Sequence, residues 1–541
     1  MSEMDSVPQI IRSLLPLGFS YVEPQDEPGW VKMTGSLQTS LGRFECELLV
    51  DRLSFHFPHV KLLDIPPSLR PVAPHISANG SLCYYAAGTL VFDIFDPVGQ
   101  TIMAVHRAEH VLDCILRGEM PEDLEEEFHA YWGVKHCYID VESKQSQQLT
   151  ALTFNAREMF VVTDDEQRTS RKAAALGMSS SNSKFLIYKI TTKAKPRPRQ
   201  GVWPPATVGD VLAWQSLLDT ACRRKIEKRI ALAFRSGARE TLIIVESPLM
   251  PYGIVVDIPP ESREWKLKMG RHGKEHLYRL RVTPVFVTRL DDRFIAQRNI
   301  PNHPTLAGLK IGQVGCGTIG GYLAEMLMKA GAGTGGGHLS IVDLEALQPE
   351  NLGRHRLGFN QLFVNKAAAL SYELKRSMPT ADIRPLPVDV READLGDLDL
   401  LIDATGEESL GYWLTRRYHR EIPILSVWIE GAGVAVRSLL KARSEDACYR
   451  CLCDYNKSKA YLAVNEEVEQ VLAGQGCEAL YVPFPATVSI QAASLGAEAV
   501  LDWVAKSEAP SLLTRVLRRD FTAATADCVV PARIGCPACA S

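Results

Sequence analysis

The sequence predicts an α/β protein in three units: an α+β unit over residues 1–135, an α/β connector over 136–300, and a parallel sheet wound with helices over 301–541. Three observations lead there. A chain of 541 residues is too long for one ordinary domain, and two or three is the expected number. From Leu309 onward, short apolar runs of buried-strand type alternate with helical stretches, as parallel strands joined by crossover helices do. Before Leu309 the pattern is mixed: strand-like alternation, proline-punctuated loops and single helices follow one another without an internal repeat.

The first unit opens with a helical stretch and then alternates in strand fashion from Phe44 to Val50. A proline-punctuated passage from Pro58 to Pro74 leads to a loop around Cys83, and apolar residues at helical spacing run from Ile102 to Leu116. The unit is expected to end near Phe128, Tyr131 and Trp132. In the connector, the Ser-rich stretch 179–183 and the basic, proline-rich stretch from Lys193 to Pro205 read as exposed loops. One long helix over about 208–236 and strands at Leu242–Val245 and Gly253–Ile258 make it a folded unit with no legible chemistry. In the last unit the expected strands are Lys310–Val314, Leu339–Val342, Leu398–Ile402 and Ile424–Val427.

Composition removes several function classes. The chain is 46 % hydrophobic and 23 % charged, ordinary for a globular protein, and its formal net charge is −4. That balance gives no electrostatic case for binding nucleic acid or a membrane surface. No segment approaches the roughly 20 apolar residues of a spanning helix, and the acidic start MSEMDSVPQI lacks a signal-peptide core. Thirteen cysteines are too sparse for a disulfide scaffold, so a cytoplasmic location is expected and clustered cysteines point to metal or catalysis.

The first strand of the last unit runs into Gly315-Cys316-Gly317-Thr318-Ile319-Gly320, a Gly-x-Gly-x-x-Gly turn opening a helix, a Rossmann-like arrangement. Glycines let the backbone approach phosphates, and the helix amino end offers free N–H groups. Asp343 follows Gly320 by 23 residues, where a carboxylate can grip a ribose. Alone, this pattern equally describes a dinucleotide dehydrogenase. Asn351, Arg354 and Lys366 follow in order, and Asp403 ends a later strand. Three such side chains converging on a crevice suit the charge of a triphosphate, and Asp403 suits a magnesium ion beside it. The competing reading is surface cations and an ordinary strand-end acid.

Cys448-Tyr-Arg-Cys451 and Cys536-Pro-Ala-Cys539 form two Cys-x-x-Cys pairs with 84 residues between them. Four thiolates suit tetrahedral zinc of the structural kind, with a redox motif as the competitor. Cys477, in Gly474-Gln475-Gly476-Cys477-Glu478, stands in a glycine-rich loop that would expose a nucleophilic thiol; Cys453 is the second choice, and a small residue in a turn the bland one. Cys83 follows Pro74-His75-Ile76-Ser77-Ala78-Asn79-Gly80-Ser81-Leu82 and is a further candidate thiol, or a buried packing residue.

Residues 305–541 resemble the ubiquitin-activating superfamily, which includes the ThiF-type sulfur-carrier adenylyltransferases. The resemblance implies ATP and magnesium as cofactors, with Asp343 on the ribose, Asn351, Arg354 and Lys366 on the phosphates, and Asp403 on the metal. Arg354 and Asp403 would then be catalytic, Cys477 would be the thioester cysteine, and the four paired cysteines a structural zinc site. Glu345 stands where the family often has Asp, His355 where it has Gln, and the loop Gly331–Gly337 is longer. Residues 1–135 resemble the ubiquitin-conjugating fold around its active cysteine, here Cys83, with Ile76 and Ser77 in place of the usual Pro-Asn after the His. Asn79 is the available substitute.

Together the two resemble the activating/conjugating fusion of CBASS anti-phage operons, associated with a cGAS-like nucleotidyltransferase (a CD-NTase). This implies adenylation of a protein C-terminus, thioester relay through Cys477 and Cys83, and transfer to an amine. The expected partners are the CD-NTase C-terminal tail or another ubiquitin-like protein, with a homodimer as the working state. A sulfur-carrier adenylyltransferase and a non-catalytic nucleotide-binding scaffold remain as alternatives.

Overall fold

The computed structural model describes residues 7–22, 29–53, 55–86, 88–133, 135–142, 149–155, 159–183, 186–199, 203–260, 272–469, 471–474 and 480–539. Among them are three sheets, one after another along the chain. No helix among these residues is long and apolar enough to cross a membrane.

The first sheet is an antiparallel meander of Ser20–Tyr21, Trp30–Thr39, Gly42–Asp51, His59–Leu62 and Ser81–Leu82. Its two long strands send alternate residues inward, Val31, Met33 and Leu37 from one and Cys46, Leu48 and Val50 from the next. The helix Pro97–Leu116 covers that face with Ala104, Val105, Ala108, Leu112 and Ile115. Asp96 starts this helix by accepting from the Gly99 N–H at 2.9 Å, and Pro97 takes the first position, where its missing N–H costs nothing.

The second sheet has eight strands in the order Leu186–Thr191, Glu240–Glu246, Tyr252–Asp257, Val282–Arg289, Lys135–Asp140, Met159–Thr163, Thr150–Phe154 and Ser180–Ser183. Two expectations change here. The single helix over about 208–236 is two, Val208–Leu218 and Thr220–Ser236. Asp219 breaks it, adopting an extended backbone while its carboxylate accepts from the Ala221 and Cys222 N–H groups (2.8 and 3.0 Å) and from the Thr192 hydroxyl (2.7 Å). An interior Asp competes for backbone donors in this way, and here a tertiary partner adds to the cap. The Ser-rich stretch forms the short edge strand Ser180–Ser183, whose polar side chains suit a sheet margin.

The third sheet has seven strands, in the order Ile383–Leu386, His338–Val342, Lys310–Val314, Leu400–Asp403, Ile424–Glu430, Ala435–Lys441 and Leu512–Val516. The first five are parallel and the last two antiparallel. The helices Thr318–Lys329 and Ala486–Val504 pack together on one face, with Leu323, Leu327, Ala492, Ala493 and Val500 buried between sheet and helices. Because the central strands run parallel, Val314, Val342 and Asp403 all end at one edge, and the segments leaving them form a crevice there.

Candidate active site: a nucleotide cleft, a cysteine cluster and an exposed thiol

The crevice is a cleft of about 1120 Å³. Gly315 leaves the first strand at φ +91, and a Cβ there would meet the Ala404 backbone at 2.9 Å; a Cβ on Gly320 would meet the Gly315 carbonyl oxygen at 1.9 Å. Glycine is therefore required at both points, first for the turn and then for the close helix–strand approach. Gly317 caps the helix Thr318–Lys329 with no atom near its missing side chain, leaving the helix amino end open to a phosphate. Asp343 accepts from the Cys316 N–H with one oxygen and from the Glu345 N–H with the other, both at 2.8 Å. Burial lifts its carboxyl above the ordinary range.

Arg354 and Lys366 both line the cleft. The Lys366 ammonium is paired with Glu345, the residue that stands in place of the family's Asp. Arg354 donates to the Val482 carbonyl at 2.8 Å and lies over the Phe484 ring at 4.4 Å, while its Nε is buried without a partner. His355 is fully engaged: Nε2 lies 2.9 Å from the Cys316 carbonyl and Nδ1 accepts from the Leu357 N–H at 3.0 Å. Those contacts assign the neutral Nε2–H tautomer, and burial pushes its pKa down to about 4. A Gln amide offers the same donor and acceptor, which explains the exchange at this position.

Two expected residues sit differently. Asn351 does not line the cleft; its side-chain oxygen accepts from the Gln348 N–H at 3.1 Å and its carbonyl accepts from the Arg354 and His355 N–H groups, so it builds the turn that presents Arg354. Asp403 lies beneath the floor formed by Ala404, Thr405 and Gly406. Its carboxylate accepts from the Thr405 N–H and hydroxyl (3.1 and 2.6 Å), burial raises its pKa, and no cation pairs with it among the described residues. Sequence reasoning missed Asp389 and Arg391, paired at 2.5 Å on the cleft wall, and also Thr405 and Glu407. The legible signal was position: each follows the carboxyl end of a parallel strand. Asp389 and Glu407 line the cleft and offer carboxylate oxygens of the kind magnesium takes beside a phosphate, so the site's chemistry fits that ion.

The four paired cysteines come together. Their sulfurs all lie within 4.8 Å of one another, with Sγ–Sγ separations of 3.7 Å (Cys448–Cys451), 3.8 Å (Cys448–Cys536) and 3.5 Å (Cys451–Cys539). Tetrahedral zinc with Zn–S bonds of about 2.3 Å sets its sulfurs roughly 3.8 Å apart, so these residues fit a closed structural zinc site. Cys453, two residues past Cys451 on the helix Tyr449–Lys457, is half-buried beside Tyr412, and burial pushes its thiol up to about 11. That is a poor setting for a nucleophile. Cys477 lies outside the described residues.

Cys83 is exposed, on a loop after the strand Ser81–Leu82. Its N–H donates to the His75 carbonyl at 2.7 Å and its thiol contacts the Tyr85 carbonyl at 3.3 Å. Desolvation and the nearby Glu127 charge raise its pKa. His75 holds φ +60 between two carboxylates: Nδ1 is 2.7 Å from Glu127, off the line of a hydrogen bond, and Nε2 is 2.9 Å from Asp123. Glu127, then Asp123, push its pKa up to about 9, so it is an imidazolium at neutral pH. The Asn79 side-chain oxygen accepts from the Ser77 hydroxyl and the Ser81 N–H, shaping the turn before Cys83.

An activating-type nucleotide unit and a conjugating-type thiol unit in one chain define a class. Residues 301–531 match the ThiF family and residues 26–137 match Prokaryotic E2 family B. The chain is 49 % identical to the ATP-dependent ubiquitin transferase-like protein Cap2 of Pseudomonas aeruginosa, over the full length of both. It is also similar to the proteins of that name from Escherichia coli (26 % identity, 82 % of each chain) and Vibrio cholerae (29 % identity, 70 % of this chain and 71 % of that one). Among solved structures, E. coli MccB with ATP is 15 % identical with a TM-score of 0.32, covering 45 % of this chain and 68 % of that one. The chain belongs to the family of ATP-dependent ubiquitin transferase-like Cap2 proteins, and it is an activating and conjugating enzyme.

Proposed function

We propose that the cleft binds ATP and adenylates the C-terminal carboxylate of a protein partner, and that two cysteines of this chain then relay the acyl group to an amine. The carboxylate oxygen attacks the α-phosphorus and pyrophosphate leaves, giving an acyl-adenylate. The Cys477 thiolate attacks its carbonyl and AMP leaves. Cys83 then takes the acyl group from Cys477, whose thiol is released, and finally an amine attacks the Cys83 thioester, loses a proton and frees that thiol. Asp343 grips the ribose, while Gly315, Gly317, Gly320, Arg354 and Lys366 meet the phosphates, with Asn351 shaping the turn behind Arg354. Asp389 and Glu407 on the cleft wall, with Asp403 just beneath the floor, would hold magnesium, which would screen phosphate charge. The zinc site is structural.

The observation that carries this reading is an exposed thiol on a braced loop, Cys83, in the same chain as a cleft lined by a glycine-rich turn, Arg354 and Lys366. The partner is a protein with a mobile C-terminal tail, the CD-NTase of an anti-phage operon in the first instance, and the enzyme works as a cytoplasmic homodimer, as the family resemblance implies. Non-reducing gels with ATP and the purified nucleotidyltransferase test the relay. Cys83→Ala should accumulate a reducible adduct on Cys477 and make no conjugate; Cys477→Ala should form adenylate and load neither cysteine. Full conjugation by Cys83→Ala, or activity independent of the partner's last residues, would defeat the reading.

A further inference from the structure

The short helix Phe128–Trp132 serves two units at once. Phe128 and Trp132, both fully buried, enter an aromatic cluster of the middle unit with Trp203, Trp214 and Tyr252, ring centroids 5.0–6.0 Å apart. The Trp132 indole donates to the Gly253 carbonyl at 3.1 Å, and the Trp203 indole donates to the Tyr131 carbonyl at 2.7 Å. The other face looks back at the conjugating loop. The Tyr131 hydroxyl lies 2.9 Å from both the Ala73 and Ile76 carbonyls, and Glu127, just before the helix, accepts from the His75 N–H at 2.8 Å. His75, between those two carbonyls, holds a left-handed backbone that its neighbours must impose, and its own carbonyl takes the Cys83 N–H.

We propose that this helix mounts the Cys83 loop on the middle unit, with Tyr131 and Glu127 as positioning residues for thioester transfer. The middle unit is thereby a working part of the conjugating site rather than a spacer. Attack of a thiol on a thioester, with the first thiol leaving, needs the attacking sulfur held in near-attack geometry, and a loop with a disfavoured residue beside its thiol does not hold itself. The aromatic cluster supplies the rigid side of the mount, and two side chains carry that rigidity across. The inference rests on the reading of Cys83 as an acyl-carrying thiol.

Full-length Tyr131→Phe, Trp203→Phe and Glu127→Gln proteins test it. The donor is a fluorescent peptide ending as a mercaptoethanesulfonate thioester: the Cys83 sulfur attacks its carbonyl, and mercaptoethanesulfonate leaves as the free thiol. Tyr131→Phe removes one hydroxyl and almost no volume and should load Cys83 about tenfold more slowly; Trp203→Phe removes the donor to the Tyr131 carbonyl and part of a packed ring, and should slow loading in the same direction. Pyrophosphate exchange at the nucleotide cleft, which neither residue lines, should stay at the wild-type rate in both. Glu127→Gln should move the pH midpoint of Cys83 alkylation by iodoacetamide downward, since a negative charge beside the thiol is gone and the His75 imidazole, which Glu127 and Asp123 keep charged only up to about pH 9, has lost most of its charge where the raised thiol titrates, while loading from the thioester slows. Greater thiol reactivity with slower transfer is the mark of lost positioning; a structural role alone would depress exchange, loading and melting temperature together. Wild-type loading rates in Tyr131→Phe, or in Glu127→Gln, would overturn the mount. If the synthetic thioester loads Cys83 in a Tyr131-dependent way but ATP and the nucleotidyltransferase never do, the mount stands and the relay reading falls.

Discussion

His355 makes the nucleotide turn sensitive to acid, and the size of the effect follows from its surroundings. It is 6 % exposed, takes the Leu357 N–H on Nδ1 and holds the Cys316 carbonyl with Nε2. Protonation would cost the acceptor at Nδ1 and place a charge in a buried site, which is why its pKa falls from 6.5 to about 4. Between those values the unfolded chain binds a proton that the native chain refuses, so stability is full above about pH 6.5 and is lost as pH falls toward 4. At about 1.4 kcal/mol for each tenfold change in proton affinity, the loss reaches about 3 kcal/mol as an upper figure. His355→Gln keeps a donor and an acceptor but does not titrate. Its stability at neutral pH should lie within about 1 kcal/mol of wild type, and the acid-dependent loss should shrink by most of that figure. Pulse proteolysis in urea, following peptides from residues 309–360 between about pH 7.5 and 4.5, reads this unit separately from the other two. An equal acid-dependent loss in both proteins would refute the reasoning; a large deficit in His355→Gln at neutral pH would mean that the ring's shape matters more than its hydrogen bonds.

Two further outcomes are expected. Asp403→Asn keeps the shape that Thr405 caps but removes the buried charge, and pyrophosphate exchange should fall on the order of a hundredfold with the fold intact; exchange at the wild-type rate would remove Asp403 from the site. Native mass spectrometry should find about one zinc per chain, and Cys536→Ser should lose both the metal and much of the stability of the third unit, since a structural zinc contributes folding free energy directly. Retention of metal and stability in that variant would leave the redox reading of the two pairs ahead.

The sequence by itself determined the features whose cause is local. The Gly315–Gly320 turn was legible because glycine spacing encodes both a positive φ and a close helix–strand approach, and both are present. The two Cys-x-x-Cys pairs were legible because three-residue spacing sets two thiols on one turn, and the parallel strands because their apolar runs need no partner to be recognised. Tertiary structure alone decided what depends on residues far apart. Asp219 breaks an expected helix by capping the Ala221 and Cys222 N–H groups, a local tendency of Asp that the distant Thr192 hydroxyl reinforces. Asn351 went to building a turn, and Arg354 found Val482 and Phe484 more than a hundred residues along the chain. The connector, in which sequence showed no chemistry, proved to hold the helix on which the Cys83 loop rests. Periodicity and spacing report what a residue requires of its immediate neighbours, whereas contacts between distant segments arise only when packing brings them together, and one sequence contains no trace of which pairs those are.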